Sequence, residues 1–396
     1  MKILMINKFL YRCGGAETYM FNLGDALQNL GHEVQYFGMS DSRNIVGNSA
    51  GAYCENMDFH KFSILQAVKY SFMTIYNADA RKQIRKVLED FQPDVCHLNN
   101  FNYQLTPSII LEIKKWNKNC KVVYTAHDYK LVCPNYCLYT EKNKELCEKC
   151  VDGNYINCLK GKCIHNSFAK SLVGTIESYY WNFREVYASL DAIICCSNFI
   201  KNRIDRNIML KDKTILLYNY VERIDNPIDK KEDYVLYFGR YSWDKGIETL
   251  LKAVDKLPEV KFVFAGDGEY KTQINSYKNV TDVGFKTGKE LSDLISHARF
   301  TVCPSQAPEN CPFVILESHS RLTPVIGTNL GGIPELIKDA ETGDLFENGN
   351  FVELAQKIKD LWEKPQTNKL YIENCKTLKR DALEDYTNRV IEIYSN

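Results

Sequence analysis

PSQAPENCPFVILESHSR, residues Pro304–Arg321, follows an apolar run, Phe300–Cys303, that reads as a buried strand. Pro304, Pro308 and Pro312 punctuate the turn between them. Proline suits a first helical position, because the N–H it lacks would have no partner there. The spacing therefore predicts a helix from about Pro312, whose free N–H groups make an anion site. From Phe313 to Leu316 the sequence is apolar on every side, the pattern of a buried helix. Glu317 then has little water to point at and needs hydrogen-bond donors, which a diol such as a ribose supplies. Glu309 falls in the preceding loop, nearer the anion. Two glutamates at a fixed spacing are a weak pattern alone, and the competing reading is a solvent-reaching glutamate beside a plain turn.

Around this stretch, strands at Tyr234–Phe238, Lys261–Ala265, Phe300–Cys303 and Pro324–Gly327 alternate with helices at Ile247–Lys256, Glu290–His297 and Phe313–Arg321. Alternation of this kind predicts a parallel sheet covered on both faces. Ligands gather beyond the C-terminal ends of such strands. Arg240 and Lys245 fall there, in the loop after the first strand, and a guanidinium fork with a point-charge ammonium suits a diphosphate. Two solvated basic residues are the alternative. Gly266-Asp267-Gly268-Glu269 and Gly331-Gly332-Ile333-Pro334-Glu335 repeat the design of strand, glycine turn and helix.

The first half carries a second such series. MKILMIN is a short strand, Gly14 and Gly15 form a turn, and Ala16–Leu30 is a helix ended by Gly31. The glycines let a phosphate approach backbone N–H groups, or simply make a tight turn. The pattern is not GxGxxG, so a nicotinamide cofactor has little support. Strands follow at Glu33–Phe37, Asp94–Leu98, Lys121–Thr125, Asp191–Cys196 and Thr214–Tyr218. His97 ends one strand and reads as structural. His127, with Asp128, comes directly off a buried strand and reads as a binder of hydroxyls. Residues 222–233 are charged, contain Pro227 and lack a hydrophobic period, as a linker does. The expected architecture is α/β, with two Rossmann-like domains facing each other across a cleft: residues 1–221 and 234–375, with a C-terminal helix, 376–396, crossing back to the first.

The 396 residues are 45% hydrophobic with zero formal net charge, which suits two globular domains and gives no bulk attraction to nucleic acid. No run approaches the roughly 18 apolar residues that span a bilayer. The first apolar run is cut by Asn7 and Lys8, too short for a signal peptide, so the expected place is the cytoplasm. There, 15 cysteines are thiols or metal ligands rather than disulfides. Many lie in an apparent insertion at about 133–165, where Cys147-x2-Cys150 and Cys158-x4-Cys163 suit a tetrathiolate zinc staple or a set of reduced cysteines. Cys133 and Cys137 add further choices. Ser167–Leu190 reads as one long helix whose Phe168, Leu172, Tyr179, Phe183 and Leu190 form a packed face. The aromatic and basic stretch Phe59–Tyr76, with Lys61, Phe62, Lys69 and Phe72, suits burial or a membrane surface.

Taken in order, these motifs resemble the glycosyltransferases of family 4, the large retaining group with the GT-B fold. The resemblance rests on Gly14-Gly15-Ala16-Glu17, His127-Asp128, Phe238-Gly239-Arg240 with Lys245-Gly246, Ala265-Gly266-Asp267-Gly268, Glu309-x7-Glu317, and Pro324-Val325-Ile326 with Gly331-Gly332-Ile333-Pro334-Glu335. It implies a nucleotide sugar held mainly by the second domain. Glu317 would accept the ribose hydroxyls, Arg240 and Lys245 the diphosphate, and Glu309 the sugar hydroxyls. Asn310, Cys311 and Phe313 would meet sugar and phosphate, Gly15 the phosphate and His127 a sugar hydroxyl. Gly268 and Phe285 would lie near the base. In the family the leaving phosphate helps to take the acceptor's proton on the face it departs from. The resemblance therefore implies neither an obligatory general base nor a required cofactor or catalytic metal. The chain departs from the pattern at Cys311-Pro312, where an aromatic and a glycine are usual, and at Asn219-Tyr220-Val221, where Asn-Gly-Val is usual. The implied acceptor is a saccharide or lipid-linked oligosaccharide of bacterial surface polysaccharide, with peripheral contact at the cytoplasmic face of the inner membrane. A nucleotide-sugar epimerase of the same fold and a non-catalytic nucleotide-sugar binder are the rival readings.

Overall fold

A computed structural model describes residues 1–57, 64–140, 144–224, 227–228 and 230–396. Lys61 and Phe62 of the aromatic and basic stretch lie outside them. The chain forms two compact units, one of Met1–Tyr218 with Leu383–Asn396 and one of Asn219–Ala382.

The first unit contains β1 (Lys2–Ile6), β2 (Glu33–Phe37), β3 (Val95–Leu98), β4 (Lys121–Ala126), the two-residue strands β5 (Tyr139–Thr140) and β6 (Glu145–Leu146), β7 (Ala192–Cys195) and β8 (Thr214–Leu216). Six of these make a sheet in the order β2-β1-β3-β4-β7-β8, parallel throughout, while β5 and β6 pair antiparallel by themselves. Helices on both faces exclude water from its centre, so strands such as Ile3–Ile6 can be apolar at consecutive positions and fully buried. The order reverses between β1 and β3, and a crevice opens at such a reversal beyond the strand ends.

The last helix, Leu383–Ser395, completes this unit's core with Tyr386, Val390 and Tyr394. Tyr394 bonds His97 Nδ1 at 2.6 Å, His97 Nε2 bonds Thr125 at 2.7 Å, and Tyr19 joins Thr125 to Tyr386 at 3.2 and 2.9 Å. With both ring nitrogens satisfied inside the core, His97 is structural, as its sequence suggests. The return begins at Leu383 rather than at residue 376. Pro365–Lys376 is a separate helix whose Tyr371, Ile372 and Cys375 are buried in the second unit.

The expected helix Ser167–Leu190 is also corrected. It runs from Phe168 to Phe183 and stops where Glu185 takes a left-handed φ of 48°, before a short 3-10 turn, Val186–Ser189. Its buried face is Ser171, Gly174, Thr175, Glu177 and Trp181, whereas Phe168, Ile176, Tyr179 and Phe183 are 57, 46, 40 and 86% exposed. Small residues allow the close approach on the inner side. A Cβ on Gly174 would sit 2.4 Å from Ile164 Cδ1.

The second unit contains β9 (Val235–Tyr241), β10 (Phe262–Gly268), β11 (Val280–Asp282), β12 (Phe300–Cys303), β13 (Val325–Thr328) and β14 (Gly343–Phe346). They form a parallel sheet in the order β11-β10-β9-β12-β13-β14, with its reversal between β9 and β12. The described residues of the expected linker belong to this unit. Val221 bridges Ala382, and Lys231 Nζ satisfies the carbonyls of Ser296 and Arg321 at 2.7 and 3.0 Å.

Candidate active site

β9 and β12 flank the reversal, and the loops that leave them are pressed together. The β9 loop tightens into a 3-10 turn, Trp243–Lys245, closed by Gly246 at φ 74°. A Cβ on Gly246 would lie 1.8 Å from the carbonyl oxygen of Pro304, so a side chain there would force the loops apart. The carbonyl of Asp244 accepts from the N–H groups of Gln306 and Ala307 at 2.9 and 3.1 Å. Its carboxylate accepts from Arg240 at 2.9 Å and from Ser242 at 2.5 Å.

This closure brings Lys245 to Glu309. Lys245 Nζ donates to Glu309 Oε1 at 2.5 Å, and Ser305 Oγ donates to the same oxygen at 3.0 Å. The turn after β13 is tied in as well, through Gly332 N–H and the Glu309 carbonyl at 2.6 Å. Burial alone would lower the Lys245 pKa, but the charge and hydrogen bond of Glu309 outweigh it and hold it above its ordinary value. Lys245 therefore stays cationic. The two side chains keep 31 and 20% exposure, enough to meet a ligand from a weakly screened position.

The helix after this loop runs Phe313–Ser320, starting where the alternation places it, with Pro312 as its extended N-cap rather than its first helical residue. Ile315 and Leu316 are fully buried, while Glu317 is half-buried. Burial pushes its carboxyl up to about 7, with Arg321 opposing and Glu222 reinforcing the shift. Arg321 is itself paired to Glu222 and reaches the Glu317 carbonyl at 3.2 Å. Cys311 is buried, and its carbonyl accepts from Asn219 Nδ2 at 3.0 Å. The Phe313 ring meets Tyr220 edge-on at 5.5 Å. The unusual Asn219-Tyr220 pair thus supports the stretch whose Cys311-Pro312 is also unusual. Asn310 is buried beside them. Gly268 ends β10 in register with Tyr241 of β9, and Arg240 lies opposite Asp267. Phe285 is 74% exposed after the edge strand β11, which β10 separates from β9.

Gly15 and His127 belong to the first unit. Gly15 opens the helix Gly15–Asn29, and the loop before it is held by Asn7, which donates to Glu17 Oε1 at 3.0 Å and accepts from Asn100 N–H at 2.9 Å. Tyr19 of that helix packs edge-on against His127, with centroids 4.7 Å apart. His127 Nε2 meets Asn99 Oδ1 at 3.0 Å, and burial lowers the imidazole to about 3. His127 is therefore neutral near pH 7, suited to hydrogen bonding with a hydroxyl rather than to supplying charge. Three residues on, Lys130 forms a buried pair with Glu177 at 2.5 Å. Sequence reasoning passed over this pair, whose members are 47 residues apart, and over Asp244, whose carbonyl bonds remote backbone N–H groups.

Among the described residues, no three His, Cys, Asp or Glu side chains converge closely enough to hold a metal ion as they are placed. No described helix is long and apolar enough to cross a membrane.

Residues 13–223 match the family model described as Glycosyltransferase Family 4, and residues 221–378 match Glycosyl transferases group 1. An uncharacterised glycosyltransferase of Methanocaldococcus jannaschii is 30% identical over 219 residues, 54% of this chain and 61% of that protein. The match thus spans less than two thirds of that relative. An uncharacterised 42.6 kDa protein in the cps region of Klebsiella pneumoniae is 22% identical over 91% of this chain and 92% of its own length. Among solved structures, Anabaena HepE in complex with UDP is similar in fold, with a TM-score of 0.68 at 17% identity and complete coverage of both chains.

Proposed function

As the chain belongs to the GT-B glycosyltransferases that these two family models describe, we propose that it moves a sugar from a nucleoside diphosphate sugar to a saccharide or lipid-linked acceptor, with retention at the anomeric carbon. The observation that carries this reading is the joining of Lys245 and Glu309 where the β9 and β12 loops meet, with Arg240 in the same loop. Breaking the bond from the anomeric carbon to the diphosphate oxygen leaves negative charge on the phosphate and positive charge on the sugar. Arg240 and Lys245 are preorganised cations for the first. When the diphosphate takes up Lys245, the Glu309 carboxylate can accept sugar hydroxyls, and Glu317 the ribose diol. The acceptor oxygen bonds to the anomeric carbon on the face the diphosphate leaves, and its proton passes to that phosphate. The products are the glycoside and the nucleoside diphosphate.

The UDP of HepE supports a uridine nucleotide, and the Klebsiella relative in a cps region supports a surface polysaccharide as the product. A lipid-linked acceptor would place the reaction at a membrane interface. The exposed row Phe168, Ile176, Tyr179 and Phe183 supports peripheral contact there.

The test is thermal stabilisation against UDP-, GDP- and ADP-sugars, for wild type, Glu317→Ala and Lys245→Ala, since a ligand of the folded state raises Tm by mass action. One nucleotide class should stabilise wild type and lose its effect in both variants. Release of nucleoside diphosphate should depend on acceptor and fall about a hundredfold or more in Lys245→Ala. Turnover of donor without acceptor or diphosphate release would make the chain an epimerase, and equal stabilisation of all three proteins would sink the site assignment.

A further inference from the structure

Among its described residues, the segment between β4 and the helix Phe168–Phe183 has almost no regular structure beyond the β5–β6 pair and a six-residue helix, Ile156–Gly161. Its own apolar cluster is Cys150, Tyr155, Cys158 and Ile164, with Tyr103 and Cys163 against it. Cys133, Leu138 and Val151 tie the segment to the core of the first unit, but its own cluster is small against the entropy of ordering some thirty residues. Natural chains meet that deficit with a disulfide or a metal, yet every cysteine here is a free thiol.

Five of those thiols, Cys133, Cys147, Cys150, Cys158 and Cys163, line one cavity of ≈ 20 Å³. That is the room of a single water or ion; Asn135, Tyr139 and Asn157 complete the lining, and five sulfurs around one small space favour an ion that thiolates bind. Backbone hydrogen bonds fix the chain at both cysteine pairs. Cys147 N–H bonds the Leu138 carbonyl at 2.8 Å, and Gly153 N–H closes a turn on the Cys150 carbonyl at 3.0 Å. Cys158 lies in the short helix, and Cys163 N–H bonds the Cys158 carbonyl at 3.1 Å just past its end. Asn157 Nδ2 links the two pairs by donating to the Lys149 carbonyl at 2.7 Å. The first pair is also clamped to the body of the unit. Arg206 pairs with Glu148 at 3.2 Å and with Asp152 through Nε at 2.7 Å, and Arg203 pairs with Glu148.

We infer that this cavity is a structural site for one thiophilic divalent cation, zinc in the cell, with Cys147, Cys150, Cys158 and Cys163 as ligands. The thiols as placed stand around the cavity without converging on its centre. Closing on one ion requires the half-exposed Cys147 and Cys163 to take another staggered rotamer, a small change that the site asks of its two least buried ligands. Each thiol gives up its proton on coordination, and four thiolates close a tetrahedral shell with no open position for substrate. The site therefore staples the insertion and takes no part in sugar transfer.

The full-length chain, produced in zinc-supplemented medium and dialysed, should carry about one zinc per molecule by plasma emission. Cys150→Ser and Cys163→Ser should each lower that content roughly tenfold or more, while Cys13→Ser, at an exposed thiol outside the cavity, leaves it unchanged. Because such variants can fail to fold, the wild type is also stripped with a chelator and refilled with CoCl2. Intense visible bands of tetrahedral cobalt with a near-ultraviolet thiolate band are expected, together with a Tm that the chelator lowers and ZnCl2 restores. Zinc-free protein without the cobalt bands, or a mass two hydrogens short of all thiols reduced, would overturn the assignment.

Discussion

At Glu317, burial lifts the carboxyl from an ordinary 4.5 to about 7, so between those values the folded chain holds a proton that the unfolded chain has released. Stability drawn from this group therefore falls as pH rises through that window and is lost above the folded value. Donor binding runs the other way, because a diol needs the ionised carboxylate as acceptor. The dissociation constant of the nucleotide sugar, followed by calorimetry, should weaken by up to roughly tenfold per unit of pH below about 7. In Glu317→Gln this pH dependence should be absent and the affinity uniformly low. Residue chemistry of this kind is readable in sequence, since a carboxylate among Phe313, Leu316 and Ser320 asks for a partner wherever the helix lies. Pairings are not. Lys245 and Glu309 are 64 residues apart, and Lys130 and Glu177 are 47 apart, so only the fold decides that they touch.

At the scale of elements, Phe168–Phe183 shows how an amphipathic period can be read to the wrong side. The helical spacing of Phe168, Tyr179 and Phe183 marks one face, but period alone does not say whether that face meets a core or something beyond the chain. Here the inner face is small and polar apart from Trp181, built for close contact with Ile164 and for the Glu177–Lys130 pair. Burying even part of two phenylalanine rings in a bilayer interface contributes about 1–3 kcal/mol. The variant Phe168→Ser with Phe183→Ser should therefore sediment at least roughly tenfold less with phosphatidylglycerol-containing vesicles. Its circular dichroism and donor-induced Tm shift should match wild type, because these rings fill no core. Equal sedimentation would remove this face from membrane contact. The edge strands of the second sheet, β11 and β14, were the other elements hidden from sequence. β11 has three residues and no buried one, and so carries no apolar period to detect.

Over the whole molecule, the alternation of apolar strands with capped helices made the parallel sheets legible, and the order of glycine turns and acidic residues pointed to two such sheets. What remained hidden was where the chain leaves the second core, because no glycine or proline marks the break between Pro365–Lys376, which packs in the second unit, and Leu383–Ser395, which packs in the first. Removal of residues 383–396 strips Tyr386, Val390 and Tyr394 from the first core and leaves His97 without its tyrosine partner. Losing large buried side chains costs about 3–5 kcal/mol each. Such a chain should accumulate in the insoluble fraction or melt at markedly lower temperature, and limited proteolysis of it should leave a fragment near residues 219–382 as the resistant part. The same arrangement orders events on the ribosome. The second unit, though translated after most of the first, has its entire sequence available sooner, and the unit that begins at Met1 must wait for the last turns of the chain before its interior can close.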